Sequence, residues 1–180
     1  MSEMIDARVE GFLLTVAGFF LFVAWDLIKG YREDRNEKSR TVSLLVTEIR
    51  ENIDLCGGLA DHVIKDRELL AQGKEIVPAP TTLELEGWTI GKSSNLLKML
   101  GWEKTRLIAR SYATARRINV NLQTREMVRS TSRALSAYRD LVSLIDDAIA
   151  TAAMNYVTEA REALLALGEK VELPMQIRPL

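Results

Sequence analysis

Helical periodicity along most of the chain, an apolar run near its start and a scarcity of breakers predict an all-α protein. The expected form is an N-terminal transmembrane helix continuing into a cytoplasmic antiparallel helical bundle. The 180 residues include only ten Gly and four Pro. No stretch alternates apolar and polar residues with the period of two that a half-buried strand requires. With 47% hydrophobic and 27% charged residues and a formal charge of −1, the composition is that of a folded domain and excludes a disordered or collagen-like chain. The apolar content is uneven, however, and much of it falls in the first thirty residues.

Residues 11–25 read GFLLTVAGFFLFVAW and carry no charge. Extended to 9–28, the run covers roughly 30 Å at about 1.5 Å per residue, the thickness of a bilayer core. Glu10 and Asp26 then fall near the two interfaces, and Trp25 and Tyr31 flank the exit as interfacial aromatics do. A signal peptide would need a basic start and a small-residue cleavage site, whereas the chain opens MSEMIDARVE and no A-x-A follows the run. A buried core helix would keep a polar stripe, and Thr15 is the only hydroxyl here. Arg8 alone precedes the run, while Lys29, Arg32, Arg35, Lys38 and Arg40 follow it. That excess predicts an inner-membrane protein, single-pass and N-out, with residues 1–8 non-cytoplasmic and the bundle cytoplasmic. Gly11, Thr15 and Gly18 share one helix face and are the candidate contact with a second membrane helix.

Residues 29–168 form the expected bundle domain. Val42, Leu45, Val46, Ile49, Ile53, Cys56, Ala60 and Val63 recur at spacings of three and four, so a helix is expected over 29–72. The same stripe contains a seven-residue repeat, Val42, Ile49, Cys56, Val63 and Leu70, that suits either a bundle core or a coiled-coil seam. A loop and short helices are expected over 73–101, where the prolines of KEIVPAPTT forbid regular helix and Thr82 offers a cap. Next comes a helix over 102–129, burying Ile108, Tyr112, Ala115, Asn119 and Leu122, and then one over 133–167 ending at Gly168. Residues 169–180 read as a tail whose prolines preclude further helix.

The order EIREN, then TLELEGWTIGKSSNLLKML, then SYATARRINVNL resembles a loose group of uncharacterised bacterial single-pass membrane-anchored helical proteins. Asn52, Trp88, Ser94, Leu96, Tyr112 and Asn119 carry the resemblance over about the first two thirds of the chain. It implies an architecture and brings no activity with it.

Catalytic, metal and cofactor constellations are absent from the sequence, so no enzyme and no cofactor is expected. His62, the single histidine, lies beside Asp61 and four residues before Asp66, and reads as an exposed imidazole rather than a metal ligand. Cys56, the single cysteine, falls in the apolar stripe and reads as a small buried hydrophobe. Asp146 and Asp147 diverge by about 100° on a helix and form no carboxylate dyad.

Charge distribution says more. From Glu103 to Arg133 eight basic residues face two acids, whereas from Ala134 to Glu172 three basic residues face seven acids. Arg106, Arg110 and Arg117 lie on one side of their helix and are the candidate anion-binding or partner-binding residues. Pairing between neighbouring helices, within one bundle or between subunits, ranks first among the explanations, and a small anionic ligand held by Arg forks ranks second. Nucleic acid is disfavoured because the helix offers no stacking aromatic except Tyr112. Anionic lipid is disfavoured because the arginines are spread along the helix. The expected function is a non-catalytic, membrane-tethered interaction module that meets the lipid bilayer and self-associates or binds a protein partner. The alternative is an oligomeric membrane effector or channel subunit gated by an anionic ligand or partner at the basic helix.

Overall fold

The computed structural model describes residues 2–76, 78, 82–131 and 137–171, with side chains from residue 18 onward except that of Leu97. It is all-α, with five helices among the described residues: α1 (Ser2–Ala71), α2 (Glu86–Ser93), α3 (Leu96–Leu100), α4 (Trp102–Thr131) and α5 (Tyr138–Leu167). The chain divides into two compact units, Met1–Arg40 and Thr41–Leu180. The expected helix over 29–72 is thus part of a helix that begins at Ser2. The start expected at residue 133 falls among 132–136, which lie outside the described residues, as does the tail from 172 onward.

In the first unit, no helix among the described residues is long and apolar enough to cross a membrane. This overturns the span expected over 9–28 and, with it, the single-pass, N-out inner-membrane placement. Length and charge together are the reason. The uncharged run 11–25 covers only about 22 Å at about 1.5 Å per residue, against the roughly 30 Å of a hydrocarbon core. Where side chains are described, the apolar stretch runs only from Gly18 to Ile28, with Asp26 inside it, before Lys29, Arg32 and Glu33 follow. Gly11, Thr15 and Gly18, the expected membrane-helix contact, belong to this same helix. The first two lie in α1 with side chains outside the described set, and a Cβ at Gly18 would meet nothing within 4 Å.

In the second unit, residues 41–71 of α1 pack with α4 and α5 around one core. Leu45, Ile49, Cys56 and Val63 meet Ile108, Tyr112, Ala115, Ile118 and Leu122 of α4 and Ile149, Ala152, Tyr156, Ala160 and Leu164 of α5. On α1 this is the stripe read from the sequence; on α4 the buried position is Ile118 rather than the expected Asn119, which is half-buried. Side-chain pairs give the helix directions. Arg50 pairs with Glu169 and Arg67 with Asp147, so α5 runs antiparallel to α1. Arg110 pairs with Glu159 and Arg125 with Asp146, so α5 also runs antiparallel to α4. Consequently α1 and α4 are parallel to each other, which a fully antiparallel bundle does not allow.

Parallel neighbours need a long return connection, and residues 72–101 supply it. Residues 82–85, where Thr82 had been expected to cap a helix, form an irregular strap, and α2 begins only at Glu86. Gly87 lets α2 approach α1 closely: a Cβ there would come within 3.2 Å of the Glu48 carboxylate. At the far end of the bundle, Gly168 takes φ +90° and closes α5, with its N–H donating to the Leu165 carbonyl at 3.0 Å.

Within α1 the helix continues through Gly57 and Gly58, where an added Cβ would meet nothing within 4 Å. Glycine in an open helical position costs about 0.8–1 kcal/mol relative to alanine. Gly58→Ala is therefore expected to raise the urea midpoint by an amount corresponding to about 0.5–1 kcal/mol, with an unchanged helical circular-dichroism signal.

Candidate functional site

Polar side chains in the bundle interior sit at core positions of the helical repeat, and each group of them joins separate parts of the chain. The strap is held by two asparagines. Asn52 of α1 accepts from the Glu84 N–H through Oδ1 and donates from Nδ2 to the Glu84 carbonyl, both at 2.8 Å. Asn119 of α4 makes the same pair of bonds with Leu83, also at 2.8 Å. Consecutive residues of an extended chain aim their N–H and C=O groups to opposite sides, so the strap passes between the two helices with one amide on each side. Each side chain takes the place of a neighbouring strand for a backbone that would otherwise lack partners.

Next along the chain, the Gly87 N–H donates to Glu48 Oε2 at 2.6 Å. Trp88 stacks on Tyr112 with ring centroids 5.5 Å apart, and the Lys92 ammonium lies 5.7 Å from the Trp88 ring centroid. Leu96 is buried. Asn52, Trp88, Leu96, Tyr112 and Asn119 thus all belong to the seat of this return connection. Burial, followed by the neighbouring Glu48 carboxylate, pushes the Tyr112 phenol far above its ordinary value. Burial likewise raises Tyr156, and pushes the Cys56 thiol up to about 12. Cys56 is a buried thiol within the apolar stripe, as its position in the sequence suggested.

The second group is ionic. Arg125 of α4 is closed off from water, with 1% of its side chain exposed, and bonds Asp66 of α1 on one side and Asp146 of α5 on the other. The Arg125 Nε–Asp146 Oδ1 distance is 2.7 Å. His62 Nε2 lies 3.2 Å from Asp66 Oδ2, half-buried rather than exposed as its sequence neighbours suggested. This ionic layer divides two apolar clusters. Val63, Leu122 and Ile149 lie on one side of it, and Leu70, Val128 and Val142 on the other. In the sequence, Arg125 is one of the eight basic residues between Glu103 and Arg133. Its signal lay in the spacing, because 125 follows Leu122 by three, just as Asp66 follows Val63 and Asp146 precedes Ile149.

The candidate arginines are distributed differently. Arg110 Nε donates to Glu159 Oε1 at 2.9 Å, and Glu162 is 3.8 Å away. Thr114 adds a bond to the other oxygen of Glu159 at 2.6 Å. Arg117 Nη2 reaches the Thr114 hydroxyl at 3.5 Å, and Arg106 is exposed. Arg110 and Arg117 thus both reach the Thr114–Glu159 pair, whereas Arg106 stands apart from it. Among the described residues no group of three or more His, Cys, Asp or Glu side chains is arranged to hold a metal ion.

Removing the guanidinium would leave two buried carboxylates without their cation. Arg125→Met is therefore expected to cost roughly 3–5 kcal/mol, and combining it with Asp66→Leu and Asp146→Leu should recover most of that loss. Urea unfolding of the single and triple variants checks both values.

Compared with protein-family models, curated proteins and solved structures, the chain matches none.

Proposed function

We propose that this protein is a non-catalytic helical interaction module that works by self-association, with the N-terminal part of α1 as the contact surface. One observation carries the reading. Phe19, Phe20, Leu21, Phe22, Trp25, Leu27, Ile28 and Tyr31 are all 49–72% exposed on one stretch of helix. Five of them are aromatic. At about 150–250 Å² for each buried aromatic, two thirds of that area over five rings is about 500–800 Å². These rings encircle the helix, since successive residues diverge by about 100°, and the largest apolar patch on an ordinary monomer is about 300–600 Å².

A second copy of this chain is the occupant that the flanking charges favour. Between Asp26 and Arg40, five basic residues interleave with four acids, all of them exposed. A partner of strong single charge would meet as much repulsion as attraction on such a stretch. An identical helix carries both signs in the same proportion, so it can place opposite charges against each other. Within the bundle, Trp102, Met127, Leu144 and Leu165 are also exposed, but they do not form a run of consecutive apolar residues as 18–25 does.

Sedimentation of the full chain tests the reading. The wild type should sediment as a dimer or larger at micromolar concentration, and Phe22→Ser with Trp25→Ser should shift it to monomer with the bundle's thermal unfolding unchanged. A monomeric wild type would remove the basis of the proposal.

A further inference from the structure

The ionic layer holds one negative charge too many. Asp66 and Asp146, with 2% and 0% of their side chains exposed, share the single guanidinium of Arg125. An unbalanced charge in such a place is strongly disfavoured. The surrounding groups do not supply the missing cation as they stand. On α1, Arg67 pairs with the exposed Asp147 of α5 and acts on Asp146 through its charge alone, and Asp61 and Lys65 are exposed. On α4, Glu126 and Arg129 bond each other. The remaining neighbour is His62, whose imidazole faces Asp66.

The two acids are not equivalent. Asp66 faces both Arg125 and His62, so two nitrogen-bearing groups converge on it. Asp146 meets Arg125 through Oδ1, and its Oδ2 is buried without a protein hydrogen-bond partner. We infer that the layer is completed by one bound proton, carried on Asp146, so that the junction of α1, α4 and α5 is a pH-sensitive lock that weakens when the proton leaves.

Burial, with a smaller push from Asp66, acts in the same direction, raising the Asp146 carboxyl above its ordinary value against the opposing pull of Arg125 and, more weakly, of Arg67. A carboxyl whose folded value is raised binds its proton more tightly in the native than in the unfolded chain. Its contribution to stability is therefore complete below the ordinary carboxylate range and is lost as pH rises through the folded value. This is the reverse of the usual salt-bridged aspartate, whose contribution is lost on acidification.

The test compares the wild type with Asp146→Asn, which keeps an oxygen for Arg125 but cannot ionise. In urea unfolding between pH 4 and 8, the wild-type unfolding constant should grow with pH more steeply than that of the variant. The excess approaches tenfold per pH unit where one proton is released. Equal slopes would overturn the inference. Should the variant fail to fold, a carboxyl-carbon NMR titration of the wild type decides the matter. An Asp146 midpoint above the ordinary value of about 3.9 is expected, and a midpoint at or below it overturns the proposal.

Discussion

A single guanidinium, shut off from water between three helices, constrains the bundle more tightly than any apolar contact in it. The core that α4 and α5 share is rich in alanine, with Ala115, Ala152, Ala153, Ala160 and Ala163 all buried. Small side chains let helices approach closely, yet one alanine is much like the next, so the alanines themselves do little to fix the register. A slip of one turn would strand Arg125 against hydrocarbon and leave Asp66 and Asp146 without a cation. The cost falls on the wrong registers rather than being returned as stability in the right one. On this account the ionic layer works as a register pin between two apolar clusters, and apolar burial supplies most of the driving force.

Register alone does not explain why α1 and α4 run parallel. That arrangement obliges the chain to travel back along the bundle before α4 can begin, and a returning backbone inside a helical protein has no ladder to join. Asn52 and Asn119 resolve this by offering one amide to Leu83 and one to Glu84. Both bonds depend on α1 and α4 lying at a fixed separation on either side of the strap. The asparagines therefore report on the same helix pair that Arg125 joins further along, and the two polar groups fix it at separate points.

Much of the helical architecture could be read from the chain. Spacings of three and four located the stripe from Leu45 to Val63, and Gly168 marked the end of α5, because both signals are local. What escaped was whatever depends on a partner distant in sequence. Arg125, Asp66 and Asp146 each follow the apolar repeat of their own helix, but a charge on a stripe reads as an interruption until the other two are seen opposite it. The strap was hidden for a similar reason, since Leu83 and Glu84 have no propensity for the conformation that the asparagines impose. The membrane span failed on magnitude: fifteen uncharged residues look decisive until their length is set against the two acids that bound them. Arg106, Arg110 and Arg117 share a helix side as expected, but the identity of their neighbours lay in α5, not in their own spacing.

If the ionic layer makes one cooperative unit of the three helices, the backbone on either side of it should open only when the whole bundle opens. Native-state hydrogen exchange measures this directly. The slowest amides of 59–70, 118–129 and 142–153 should share one opening free energy, equal to that of global unfolding from urea titration. Should the 118–129 amides exchange through a separate opening of clearly lower free energy, α4 would be detachable from its neighbours, and the layer would not be the constraint on which the fold depends.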